Sequence, residues 1–135
     1  MPVRFLLDTN IVSYLLKGQV PAAQLRYNEA KADSLAISSI TEAEVFYGIA
    51  NRPGATRLRA AVESFFATAT VLSWDSAAAR AYGQLRADQE RKGRPLSVED
   101  LMIAAHALAL GLTLVTHDQV FSYVDGLKTE DWTVA

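Results

Sequence analysis

Four acidic residues stand out by type and place: Asp8 in "LLDTNI", Glu44 in "SITEAEVFYGI", Asp100 in "LSVEDLMIAAHALAL" and Asp118 in "LVTHD". Asp100 is the most telling. On a 3.6-residue wheel for a helix over 98–110, Ala104 lies within about 40° of it, Ala107 within about 20° and Ile103 within about 60°. The polar residues of the segment, Glu99 and His106, fall about 100° away. An acid on that apolar face costs several kcal/mol when charged, or stays protonated, unless something compensates it. Crowded carboxylates repel one another and raise their own pKa values; a hard divalent cation reverses that, and Mg²⁺ or Mn²⁺ prefers oxygen ligands. With a phosphate as its other ligand, such a cation activates water and stabilises charge at phosphorus. No cysteine, Ser–His pair or glycine-rich phosphate loop competes as a chemical centre. The donor set therefore points to metal-dependent phosphodiester hydrolysis.

Each acid also has a plainer reading. Asp8 could cap the helix that follows it. Glu42 and Glu44 lie about 160° apart on a helix, so only one can face a shared cleft; Glu44, with Gly48 one turn on, is preferred, and Glu42 suits the helix dipole. Asp100 could satisfy first-turn N–H groups, but Ser97 is the better cap. Asp118 alone reads as a turn residue. His106 and His117 lack zinc spacing and read as surface or partly buried side chains. In "RADQERKGRP", Arg86, Arg91, Lys92 and Arg94 form either a solvated helix end or a patch for a polyanion.

The elements that must position these residues alternate. "VRFLLD" reads as a buried strand, "TNIVSYLLKG" as a helix closed by Gly18, and "PAAQLRYNEAK" as a helix opened by Pro21. "SLAIS" is a second strand, followed by a helix whose apolar spacing picks out Ala43, Phe46 and Ile49 or Ala50. An amphipathic helix in "GATRLRAAVESFFATA", a strand in "TVLSW", a long helix from Asp75 to about Arg91, the apolar helix and a strand in "LTLVT" complete the pattern, and "DWTVA" could supply a fifth strand. Alternation of this kind predicts a three-layer α/β/α domain with a mostly parallel sheet of four to five strands. Ligands of such sheets bind beyond the carboxyl ends of the strands, where these acids fall.

With 135 residues and no linker or repeat, one domain over 1–135 is expected. No apolar run is long enough for a membrane span and no secretory signal opens the chain. The lack of cysteine fits the cytoplasm. A net charge of −2 argues against holding nucleic acid by overall charge, leaving local basic patches or a metal.

Taken together, "LLDTNI", "ISSITEAEVFYGI", "EDLMIAAHALALGLTLVTHD" and "GLKTEDW" resemble, in order and over essentially the whole chain, the PIN-domain ribonucleases of the VapC toxin type. The resemblance implies a Mg²⁺/Mn²⁺-dependent endoribonuclease that inhibits translation. Its partners would be RNA and a VapB-type antitoxin, with homodimers and toxin–antitoxin hetero-oligomers. It implies Asp8, Glu44, Asp100 and Asp118 as the acidic site, Asp8 and Asp100 as direct metal ligands, and Thr116 as the residue that steadies this edge. Val120 departs from the family pattern, which has an acid before the phenylalanine, so Asp118 is the only carboxylate of that segment. The ending "GLKTEDW" resembles the subgroup that cuts initiator tRNA in its anticodon loop. A PIN-like module that binds RNA or protein without catalysis is the alternative, and a phospho-acceptor receiver domain lacks its adjacent acids and lysine here.

Overall fold

The computed structural model describes residues 2–94 and 96–134. Met1, the proline of "RKGRP" (Pro95) and the last residue of "DWTVA" (Ala135) lie outside the described residues. Five strands, β1 (Phe5–Leu7), β2 (Leu35–Ser38), β3 (Val71–Leu72), β4 (Thr113–Val115) and β5 (Thr129–Glu130), form one sheet in the order β3-β2-β1-β4-β5. Every pairing is parallel, with Phe5 opposite both Leu35 and Thr113.

Side-chain alternation sorts β1 between two cores. Phe5 and Leu7 join Leu35, Ile37 and Val115 beneath α1 (Thr9–Lys17), α2 (Pro21–Glu29), α3 (Ser39–Ala50) and α4 (Thr56–Thr68). Leu6 joins Ala36 and Leu114 on the other face, under α5 (Ser76–Arg91) and α6 (Val98–Leu110). A strand covered on both sides reads as an unbroken apolar run, as "FLL" does. The α/β/α layering expected from the sequence is thus the observed one. Gly18 and Gly111 end α1 and α6 in the left-handed region, at φ 64° and 66°, where a side chain would be strained.

The order of the strands places a switch point. From β1 the chain builds outward through β2 and β3, then returns across the sheet to lay β4 on the other side of β1. At the carboxyl ends of β1 and β4 the connections diverge to opposite faces, Ile11 joining one core and Phe121 the other, which is where ligands of such sheets bind. The Asp8 N–H donates to the Val115 carbonyl at 3.0 Å, carrying the pairing one residue past β1.

Three expectations need correction. The fifth strand is Thr129–Glu130 rather than "DWTVA"; Trp132 is instead a core residue, 1% exposed and edge-on to Phe5 with ring centroids 5.3 Å apart. The inward residues of α3 are Thr41 and Ile49, while Ala43 and Ala50 are exposed and Phe46 packs sideways on Phe66. His106 is buried, not at the surface. Between the sheet and α5, the middle of α6 has little solvent face: Ala104, Ala105, His106 and Ala107 are all covered.

Candidate active site

Each acid is delivered by a different element to the carboxyl edge of the sheet. Asp8 follows β1 and is 3% exposed. It is also the N-cap of α1, its Oδ1 accepting from the Ile11 N–H at 2.9 Å. The plain and the chemical readings of this residue are therefore compatible, because a carboxylate has a second oxygen. Burial pushes the Asp8 pKa up to about 6; hydrogen bonds from Thr116 and Ile11 oppose that rise, and Asp100 and Asp118 add to it.

Asp100 lies half-buried in the first turn of α6, where Ser97 takes the capping role and accepts from the Asp100 N–H at 3.1 Å. Its carboxylate is thus not spent on its own helix. Burial raises its pKa and Ser97 lowers it, with Asp118 and Glu99 raising it further. Asp118 is exposed at the start of the 3₁₀ turn Gln119–Tyr123, accepting from the Val120 N–H at 3.0 Å. The Asp118 N–H in turn donates to Thr116 Oγ1 at 3.0 Å. Thr116, buried at the end of β4, links Asp118 to Asp8.

Glu44 is the member of the Glu42/Glu44 pair that meets the other acids. Thr9 Oγ1 donates to Glu44 Oε1 at 3.5 Å and lies 3.2 Å from Thr41 Oγ1. Burial, then Glu99 and Asp100, raise its pKa. Glu99 is a residue that the sequence pattern alone does not single out. It is exposed, yet its charge reaches both Glu44 and Asp100. The signal available for it is adjacency: it precedes an acid in the same first turn.

The remaining candidates sit elsewhere. Arg86 pairs with Glu90 at 3.1 Å and Arg91 with Asp88. Lys92 meets Asp125 at 2.6 Å, and its hydrogen bond holds that carboxyl below the usual range. Arg94 donates to the Tyr123 carbonyl and lies 3.5 Å from Asp125. Every cation of this patch is therefore already matched by an acid. Buried His106 lies with Nδ1 2.9 Å from Ser38 Oγ, and burial lowers its pKa. His117 is exposed beside Asp131 and Thr133.

None of the four acids forms an ion pair with Lys, Arg or His among the described residues. Three have raised pKa values with like charges among the causes. That is the field into which a cation fits. No three Asp, Glu, His or Cys side chains among the described residues make a coordination shell by themselves. The donor set therefore suits a hard divalent ion that takes one or two carboxylates and keeps several waters, rather than a fully protein-caged metal.

A PIN-domain family model matches residues 5–127. The chain belongs to the PIN-domain family. Over 132 residues it is 39% identical to the tRNA(fMet)-specific endonuclease VapC of Shigella flexneri, covering 97% of this chain and 99% of the relative. Among solved structures it is similar to DNA-bound VapBC from Salmonella typhimurium, with a TM-score of 0.90, 37% identity and coverage of 96% and 98% of the two chains. It is also similar to VapBC2 from Rickettsia felis bound to a promoter DNA fragment, with a TM-score of 0.88, 30% identity and 98% and 99% coverage. PIN-domain nucleases generally depend on a divalent metal. The unpaired acids of this PIN domain have the chemistry for one.

Proposed function

We propose that this chain, as a single PIN domain over 1–135, is the toxin of a VapBC-type toxin–antitoxin pair. Its activity is that of an endoribonuclease using Mg²⁺ or Mn²⁺, its substrate initiator tRNA cut in the anticodon loop, and its effect arrest of translation. The observation that carries this reading is the set of unpaired acids, three with raised pKa values, at the β1/β4 switch point. The relatives' VapC names and the VapBC complexes among similar structures support the choice of RNA and of an antitoxin partner.

Asp8 and Asp100 are the residues to hold the metal, which when bound supplies charge neutralisation at the phosphate and a more acidic water. Ile11 N–H and Thr116 fix the orientation of the Asp8 carboxylate, whose remaining lone pairs would face the ligand. Glu44, steadied by Thr9, is placed to take the proton of the attacking water, a task helped by a raised pKa. Asp118, whose backbone N–H is held by Thr116, adds to the negative field felt by Asp100. The water oxygen bonds to phosphorus as its proton passes to Glu44, one P–O ester bond breaks, and the leaving ribose oxygen takes its proton from solvent water. Unpaired loop bases can be splayed out, which suits a hairpin loop over a duplex.

The acidic pocket also explains the form an inhibitor would take: a Lys or Arg side chain from the antitoxin answers the same field. The toxin is proposed to form homodimers that assemble with the antitoxin into hetero-oligomers. No helix among the described residues is long and apolar enough to cross a membrane, and a tRNA target places the activity in the cytoplasm. Incubating total tRNA and ribosomes with metal-loaded protein, then mapping new RNA ends, tests the assignment. A single new end in the anticodon loop of initiator tRNA is expected. Intact initiator tRNA beside a cut ribosomal RNA loop overturns the substrate, and no metal-dependent cut in any RNA overturns the enzyme.

A further inference from the structure

The acidic site is not an isolated pit. Thr9 and Glu44 line a hollow of about 200 Å³ between α1, α3 and α4. Leu16, Lys17, Arg52 and Leu58 border that hollow and also a second, wider one of about 720 Å³. The two adjoin along these four residues and make up a groove with Glu44 at its inner end. Its outer part carries Lys17 from the last turn of α1, Arg52 from the α3–α4 connection and Arg57 from the first turn of α4, and no acid among the described residues lines it. All three cations are exposed, and among the described residues none of them forms an ion pair.

That contrasts with the α5 patch, where Arg86, Arg91, Lys92 and Arg94 are each engaged by an acid or a carbonyl. A polyanion gains most where cations have no intramolecular competitor, since each neutralised phosphate releases bound counterions. A net charge of −2 makes such a local cluster the more necessary. The groove runs from these three cations to Glu44, so a strand lying in it would bring one phosphate to the acids while its neighbours meet the cations. A protein segment could answer these cations with carbonyl oxygens, as Tyr123 answers Arg94, but only an acidic one would neutralise three like charges, whereas an RNA backbone carries the matching charge at every phosphate.

Resting on the ribonuclease reading above, we infer that Lys17, Arg52 and Arg57 form a backbone track that seats the RNA strand flanking the cut. They are positioning residues and touch phosphates remote from the reacting one. The test uses the full-length protein and a synthetic anticodon stem-loop of initiator tRNA. Binding is followed by fluorescence anisotropy without metal across a salt series, and cleavage is followed with Mg²⁺. For the variant Lys17→Gln/Arg52→Gln/Arg57→Gln, binding is expected to weaken about tenfold or more at low salt. The slope of log K against log salt is expected to shrink by about 2, at roughly 0.7 per lost single-strand contact. KM rises while kcat stays near wild type, and Lys17→Arg with Arg52→Lys and Arg57→Lys restores binding. Should the triple variant fold poorly, the single variants carry the same test, each with a slope change of about 0.7. Unchanged affinity and slope overturn the inference. So does a larger loss on neutralising the α5 patch, or intact RNA cleavage with lost antitoxin capture, which would assign the groove to a protein. Absence of RNA binding and cleavage in the wild type overturns the ribonuclease reading itself.

Discussion

Asp8 and Ile11 are joined by a hydrogen bond from the Ile11 N–H to Asp8 Oδ1 at 2.9 Å, so the most buried acid of the cluster also caps the helix that leaves it. Its folded pKa of about 6 stands above the ordinary 3.8, so the fold favours the protonated form. In metal-free protein the stability linked to Asp8 is fully present below about pH 4 and is lost as pH rises through 6. At about 1.4 kcal/mol for each tenfold change in proton affinity, the loss amounts to roughly 3 kcal/mol. Asn caps as well as Asp. Asp8→Asn is therefore expected to be more stable than wild type at pH 7 without metal, to match it near pH 4, and to cut no RNA. Urea unfolding across pH checks the first two outcomes; a variant less stable than wild type at pH 7 contradicts the burial argument.

Glu44 rather than Glu42 is held towards the other acids by Thr9. Glu44→Gln is expected to lower kcat by about a hundredfold or more, in the range usual for a lost general base. Glu42→Gln should change it by no more than about twofold. Initial-rate cleavage at saturating Mg²⁺ decides between them, and the reverse ranking would mean that the other face of α3 bears the chemistry.

The order of the elements and the position of Asp100 are legible in the sequence because they depend on strong, local signals. Unbroken apolar strands separated by helices leave few topologies, and the wheel neighbours of Asp100 (Ile103, Ala104 and Ala107) are all buried as their spacing implies. The burial of His106 is hidden for a physical reason: amphipathicity assumes one wet face, and α6 is enclosed between the sheet and α5. The face of α3 is hard to read because apolar residues ring that helix, so no stripe dominates. A two-residue strand such as Thr129–Glu130 has no period to detect. Lys17 and the Arg52/Arg57 pair show no single charged run because two distant segments bring them together, whereas "RADQERKGRP" advertises its charge in one run and then pairs it internally.

His106 is expected to be structural. Its Nδ1 lies 2.9 Å from Ser38 Oγ in the core, and its pKa is lowered by burial, so it is neutral in the fold. His106→Ala removes that bond and leaves a cavity, a combined cost of about 2–4 kcal/mol. Because the folded pKa lies below the ordinary 6.5, the wild type's own contribution is present above about pH 6.5 and falls as pH drops below it. Denaturant titration of both proteins at pH 8 and pH 5.5 should show a smaller difference at the lower pH. A variant as stable as wild type but inactive at permissive temperature would make His106 catalytic instead.

Trp132 anchors the end of the described chain. It packs edge-on to Phe5, takes the Arg26 guanidinium 5.3 Å from its ring centre and donates from Nε1 to Glu130 Oε1 at 3.0 Å. Trp132→Ala should cost about 3–5 kcal/mol, while Trp132→Phe, which keeps most of the ring contact, should cost clearly less. Equal losses would show that the indole hydrogen bond, not packing on Phe5, holds this end.

Metal addition should act on stability through the same repulsion that raises the acids' pKa values. Asp100 contributes to the field at Asp8 and at Glu44, and it receives that of Asp118 and Glu99. A cation bound there relieves several unfavourable pairs at once, and any ligand that binds only the folded state stabilises it in proportion to the logarithm of its concentration. At about a hundred times its Kd, Mg²⁺ or Mn²⁺ is expected to stabilise the wild type by about 2.7 kcal/mol. Asp100→Asn removes both a proposed ligand and part of the repulsion. The variant should therefore begin more stable than wild type in EDTA and gain little from metal, so that the two melting curves converge as metal is added. Asp118→Asn, altered at an exposed acid, should keep most of the metal-induced gain. Thermal melts at pH 7.5 over a series of metal concentrations measure all three. A full metal-induced gain in Asp100→Asn would remove this residue from the ligand set and leave Asp8 to be paired with Asp118 or Glu44.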